Sequence, residues 1–131
     1  MGQFRILGLV AVGGIIGSLG RYALDLLAAG TLPLVPQDFP LATLTVNLVG
    51  ALAIGLLAPL LLARSSWSPA RPFLITGVLG GFTTFSALAA QSGVMLLDDQ
   101  GWLAAGYLVV TMVGGLLAVR LGVRISAKRL R

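Results

Sequence analysis

Residues 77–87 read GVLGGFTTFSA and lie near the middle of an uncharged run from Pro72 to Leu97. The run exceeds the roughly 20 apolar residues that span the hydrocarbon core of a bilayer. Its adjacent glycines and two β-branched threonines weaken a helix, because glycine costs backbone entropy and threonine restricts its own rotamers. We therefore predict a membrane-spanning helix that is broken at mid-membrane.

Three further apolar runs surround this one, at about Phe4 to Leu27, Leu41 to Ala63 and about Trp102 to Val123. Short connections rich in turn-forming residues separate the runs, so consecutive helices should be antiparallel neighbours. Of the 131 residues only 10% are charged, against about 25% in soluble domains. The sequence predicts an all-α integral membrane protein with four transmembrane helices in a single domain, residues 1–131.

The basic residues between the runs collect on one side of the predicted bilayer, and they are Arg5, Arg64, Arg71, Arg124, Lys128, Arg129 and Arg131. The loops on the other side hold Asp38, Asp98 and Asp99 and no Lys or Arg. Because short loops rich in Lys and Arg stay in the cytoplasm, both termini are predicted to be cytoplasmic. A short multi-pass chain of this kind is typical of a bacterial inner membrane.

Two function classes are disfavoured by composition. The net charge of +5 could suggest nucleic acid, but the basic residues show neither a basic face nor interleaved aromatic residues, so no nucleic-acid partner is predicted. Cysteine, histidine and glutamate are all absent, which removes disulfides, soft-metal sites and the commonest general bases. The chain is not predicted to be an enzyme.

Polar side chains within the runs are the candidates for function, because a polar group in lipid usually faces a partner helix or a water-filled path. The Asn47 amide can donate two hydrogen bonds, either to an anion or to a neighbouring helix. Tyr107 and Thr111 lie on one helical face and could form a polar track or an interhelical bond. Phe85 presents a positive ring edge that could face an anion, although such a ring often serves only packing.

The glycine-rich segment and Arg21 each allow two interpretations. Backbone carbonyls freed by a helix break suit a hard monovalent cation, whereas Gly77 and Gly81 could instead form a close-packed helix interface. Arg21 is the only basic residue well inside a run, and Asp25 is placed one turn later to pair with it. Arg21 could extend to the headgroups or form an electropositive vestibule that attracts anions.

The stretches GGIIGSLGRY (13–22), TLTVNLVG (43–50) and GVLGGFTTFSA (77–87) together resemble the Fluc/CrcB family of fluoride channels. This resemblance implies passive fluoride export through an antiparallel dimer with two pores and a central structural sodium ion. It implies that the backbone carbonyls of Gly80 and Thr83 hold the sodium. It also implies a fluoride pathway whose side chains are those of Asn47, Phe85, Ser86, Tyr107 and Thr111.

The chain departs from the family pattern at two positions and in its charge distribution. Leu88 replaces a second pore phenylalanine, and Gln91 replaces an acid. A homodimer of the family requires insertion in both orientations, yet the basic residues here favour one. We therefore expect pairing with an oppositely oriented sister subunit, in which one or both pores conduct.

A small multidrug-type exporter and a non-transporting membrane scaffold are the two alternatives to a channel. A small multidrug-type exporter has a similar length, but it needs a titrating carboxylate in the membrane, and the four Asp residues here lie at run ends or in loops. A non-transporting membrane scaffold would use its Gly-rich faces only for helix packing. Composition leaves the scaffold open, whereas polar residues on three runs favour the channel.

Overall fold

The computed structural model describes residues 2–31, 39–64 and 69–130, and over these residues it is helical and contains no strand. The α-helices are α1 (Gln3–Thr31), α2 (Leu41–Arg64), α3 (Gly80–Phe82), α4 (Phe85–Leu97) and α5 (Gly101–Arg129), with a π-helical segment at Pro72–Leu79 before α3. Asp38 and Arg131 lie outside the described residues, as does the side chain of Arg64.

Four helical spans are long and apolar enough to cross a membrane: Gln3–Ala28, Leu41–Ala63, Pro72–Leu97 and Gly101–Arg129. They confirm the predicted four-helix membrane protein. The last span continues to Arg129 instead of ending near Val123, because no proline follows and alanine, lysine and arginine all favour a helix.

The extension of α5 corrects one expectation from the sequence. Arg120, Arg124 and Lys128 are spaced four residues apart on one continuous helix, so they share a face, and all three are exposed. The expectation that the basic residues form no face was wrong, because it treated the end of the chain as a tail.

Small residues bring α2 and α5 together. A Cβ added to Gly55 would collide with the carbonyl oxygen of Val119, and one added to Gly122 would meet the backbone of Leu52 and Leu56. The hydroxyl of buried Ser126 donates to the Gly55 carbonyl over 3.4 Å. Close backbone approach at small residues is the usual way in which helices associate in lipid.

A second glycine seam joins α1 to the first half of the third span. A Cβ added to Gly77 would lie 2.9 Å from the Cα of Gly13, and one added to Gly17 would collide with the carbonyl oxygen of Val78. Gly77 therefore serves a close-packed interface, as one of the two interpretations of the glycine-rich segment proposed. The seam fixes α1 beside the interruption of the third span.

Candidate functional site

The third span is interrupted at Thr83 and Thr84. The helix α3 ends at Phe82, the backbone of Thr83 is extended with φ −76° and ψ 154°, and that of Thr84 is extended with φ −147° and ψ 119°. Helical structure resumes at Phe85. The position of this interruption at mid-membrane stays a prediction.

The Asn47 side chain binds both polar groups of the Thr84 backbone. The Thr84 N–H donates to Asn47 Oδ1 over 2.8 Å, and Asn47 Nδ2 donates to the Thr84 carbonyl over 3.1 Å. This is the interhelical bond that one interpretation of Asn47 expected. An amide nitrogen carries two hydrogens, so one N–H of Asn47 is still available to a ligand.

At the interruption, two backbone N–H groups do not donate to the carbonyls that they would bond in a continuous helix. In a continuous helix the N–H of Thr84 would donate to Gly80 and that of Ala87 to Thr83. Here the Thr84 N–H donates to Asn47, and the Ala87 N–H donates to the Thr84 hydroxyl over 3.1 Å as a helix N-cap. The carbonyls of Gly80 and Thr83 therefore lose their helical donors, as the last carbonyls of a helix do.

A groove of about 630 Å³ opens beside the interruption, and its lining includes Asn47, Thr84, Phe85, Leu88, Thr111 and Leu116. The Phe85 ring is 74% exposed, so its edge is accessible from the groove. Three of the predicted pathway residues, Asn47, Phe85 and Thr111, thus meet on one surface although they come from three spans.

A second polar cluster lies one helical turn away. Tyr107 Oη donates to Gln91 Oε1 over 2.9 Å, and Gln91 Nε2 donates to the Thr43 hydroxyl over 3.0 Å. The Tyr107 side chain is fully buried and packs edge-on against Phe39, with ring centroids 5.6 Å apart. We call Thr43, Gln91 and Tyr107 the outer cluster.

Tyr107 was predicted from the sequence to line the fluoride pathway, whereas Thr43 and Gln91 were not. One signal was present for Thr43, because it precedes Asn47 by four residues and so shares its helical face. Gln91 is likewise two turns beyond Thr84, on the same side of α4. A pocket of about 450 Å³ reaches Gln91 from the other direction and is also lined by Pro40, Val94 and Asp98.

The remaining predicted hydroxyls are already engaged in local bonds. The Ser86 and Thr84 hydroxyls lie 3.1 Å apart, and Ser86 is exposed. The Thr111 hydroxyl donates to the Tyr107 carbonyl over 2.7 Å. Each hydroxyl oxygen keeps the capacity to accept a further hydrogen bond.

Arg21 lies on α1, level with the interruption, and stands apart from both polar clusters. Its neighbour Gly20 faces the Phe82 ring, which would lie 3.8 Å from an added Cβ. The Arg21 Nε atom is buried and has no hydrogen-bond partner among the described residues. The expected pairing with Asp25 was wrong, since no bond joins these two described residues, and the guanidinium keeps unused donors.

Comparison with known proteins identifies the family. Residues 8–123 match the family model of CrcB-like protein, Camphor Resistance (CrcB). The chain belongs to the CrcB-like family. The match includes Arg21, the Asn47 segment, the interruption, Tyr107 and Thr111, so every part of the site lies within the region that defines the family.

Relatives in the CrcB-like family carry functional names. The fluoride-specific ion channel FluC of Chlorobium chlorochromatii is 46% identical over 121 residues, which cover 92% of this chain and 90% of that protein. FluC of Paracoccus denitrificans is 47% identical, covering 89% of this chain and 90% of its own. FluC 1 of Mycolicibacterium paratuberculosis is 43% identical, covering 94% and 91%. These relatives are channels, so this CrcB-like chain is a multi-pass membrane protein and not an enzyme.

Proposed function

We propose that the chain is a subunit of a fluoride-selective channel that lowers cytoplasmic fluoride by passive export. The observation that carries this proposal is that three spans bring polar groups together in the groove and in the outer cluster. Asn47, Phe85 and Thr111 line the groove, and the outer cluster follows one turn further along α2 and α5 and nearly two turns further along α4. The names of the relatives agree with this chemistry.

Fluoride is small and strongly hydrated, so a pore that passes it must replace water with donors of its own. The free N–H of Asn47 and the positive edge of the Phe85 ring offer such contacts in the groove. The Ser86 hydroxyl extends the set beside Phe85. The Tyr107 hydroxyl donates to Gln91 Oε1, so it can donate to fluoride only when that bond opens. Arg21, with its unpaired buried Nε, supplies positive potential at the approach to the pathway.

Leu88 separates the groove from the outer cluster. Its side chain is 2% exposed and packs in a cluster with Met95, Ala104 and Tyr107. A leucine keeps the apolar bulk that a phenylalanine would give, but it lacks the ring edge. We infer that a fluoride ion passing between the groove and the outer cluster makes less favourable contacts with Leu88 than with the Phe85 ring.

We also infer that the freed carbonyls of Gly80 and Thr83 hold a structural sodium ion. Carbonyl oxygens suit a hard monovalent cation, and the described residues contain no cluster of carboxylates, histidines or cysteines for another metal. Two carbonyls are too few for one cation, so an antiparallel second subunit would supply the others. When bound, sodium supplies a buried positive charge, while the chain positions the oxygens by diverting their helical donors to Asn47 and Thr84.

The orientation and the partner follow from the basic residues. We propose that both termini lie in the cytoplasm, because Arg5, Arg71 and the basic end of α5 fall on one side. An antiparallel dimer then requires a sister chain with the opposite charge distribution.

Growth of a fluoride-sensitive bacterial strain that lacks its own exporter tests the proposal. Expression of the chain, together with an oppositely oriented sister where needed, should restore growth on fluoride and lower cytoplasmic fluoride. A scaffold would restore nothing, and a drug exporter would raise tolerance to cationic dyes instead. Either of these results would contradict a fluoride channel.

A further inference from the structure

The face of α5 that points away from α2 has two chemically different halves. Its first half presents exposed apolar side chains, with Val110 49%, Val113 52% and Leu117 57% exposed. Its second half presents three exposed cations, Arg120, Arg124 and Lys128. We call these six residues the α5 outer face.

Helical geometry places the two halves in line. Each residue of an α-helix turns by about 100°, so the three cations fall within about 80° of arc, and Val110, Val113 and Leu117 fall in the same sector. Thr111, Gly122 and Ser126 are buried on the opposite side. The α5 outer face is therefore turned away from the rest of the subunit.

The length of α5 places the change from apolar to cationic side chains near a membrane surface. The helix has 29 residues, or about 43 Å, whereas the hydrocarbon core is about 30 Å thick. Trp102 is 93% exposed, as expected for a residue at headgroup level near the start of the helix. Arg120 follows about 27 Å further along the axis, where the opposite headgroups begin.

We propose that the α5 outer face binds an anionic phospholipid. Its acyl chain packs on Val113 and Leu117, and its phosphate lies against Arg120, Arg124 and Lys128. Guanidinium groups bind phosphate oxygens in a bidentate way. The helix Gly101–Arg129 contains no Asp or Glu, so no carboxylate of α5 neutralises these cations.

A ligand with one apolar chain and one anionic head fits this face better than either part alone. Free phosphate would leave the apolar half uncovered, and a zwitterionic lipid would place its own ammonium beside the three cations. Of the six residues of the α5 outer face, only Val113 also borders the groove with Asn47 and Phe85, and the three cations do not line it. The phosphate site is therefore distinct from the groove. It assigns the basic end of α5 a binding role in addition to its effect on orientation.

Native mass spectrometry of the purified protein tests this with added phosphatidylglycerol, phosphatidylcholine and inorganic phosphate. The wild type should retain phosphatidylglycerol in preference to the other two. The triple variant R120Q/R124Q/K128Q should bind phosphatidylglycerol about tenfold more weakly. The matched control R5Q/R71Q/R129Q removes the same number of exposed charges from other faces and should bind as the wild type does.

Two outcomes would overturn the proposal. Equal weakening in the triple variant and its control would show a net-charge effect without a defined face, and unchanged binding in the triple variant would show that the lipid lies elsewhere. Should the triple variant fail to fold, R124Q and R129Q remove one charge each from nearly opposite faces of the same helix. R124Q alone should then weaken binding, and equal effects of the two would contradict the α5 outer face.

Discussion

At the scale of single residues, the Asn47 amide has two tasks that use different atoms. Its Oδ1 and one N–H hold the Thr84 backbone, while the second N–H is directed to no group of the described chain. A helix break in lipid must be satisfied by protein, water or an ion. Asn47 meets that requirement and simultaneously places a donor in the groove.

We expect Asn47→Ala to lower stability and to stop fluoride flux. The change removes both bonds to Thr84 and leaves two backbone groups without partners, at a cost of about 1–3 kcal/mol. Thermal melting of the purified protein, followed by circular dichroism, measures the first effect. Thr45→Ala is the control, because Thr45 is exposed on the same helix; equal melting of the two variants would contradict the role given to Asn47.

The sequence predicted the kinds of residues in the site better than their contacts. Asn47 and Phe85 were identifiable because a polar amide and an aromatic ring beside hydroxyls are unusual in apolar helices. The bond from Gln91 to Thr43 spans 48 positions of the chain, and it depends on the register of α2 against α4. No local pattern encodes that register.

At the scale of helices, the glycine seam packs α1 closely against the third span immediately before the interruption. Gly13 and Gly17 on α1 meet the backbone of the π-helical segment, and Gly81 meets Gly14. The Gly80 N–H donates to the carbonyls of Gly77 and Ile75, which gives a wide turn immediately before the break. The glycines indicated a weak helix, but the π-helical form was not predicted, because no local sequence pattern distinguishes it from an α-helix.

We expect Gly17→Ala to destabilise the helix pair by about 1–3 kcal/mol through overpacking. The new methyl group would collide with the Val78 carbonyl, a backbone atom that cannot move independently. Gly8→Ala on the same helix is the control, since a Cβ there meets nothing within 4 Å, and alanine favours the helix by up to about 1 kcal/mol. Melting temperatures measure both; a Gly17→Ala protein as stable as Gly8→Ala would contradict the seam.

At the scale of the whole molecule, the described part of the chain leaves much apolar surface uncovered. Phe4 is 90% exposed and Leu97 86% exposed, which is typical of a surface that meets lipid or another subunit. The four spans and their order were readable from hydropathy alone. The proposed partner was not, because the hydropathy of one chain carries no information about which surface a second subunit would cover.

The basic residues should fix a single orientation in the membrane. A C-terminal green fluorescent protein fusion should fluoresce, and a C-terminal alkaline phosphatase fusion should be inactive, because each reporter works on only one side of the membrane. The same pair of reporters at the N-terminus should give the same pattern. Strong signals from both reporters at one terminus would show dual insertion and remove the reason for a sister subunit.

Fluoride efflux from liposomes, recorded with a fluoride electrode and compared with chloride efflux, tests the central claim most directly. The protein is reconstituted together with its oppositely oriented sister where one is required. We predict rapid fluoride efflux without chloride efflux, abolished by Phe85→Ile in the groove and unchanged by Phe4→Ile, which alters a ring that is 90% exposed on α1. Chloride efflux as fast as fluoride efflux, or fluoride efflux that survives Phe85→Ile, would contradict a fluoride pathway through this groove.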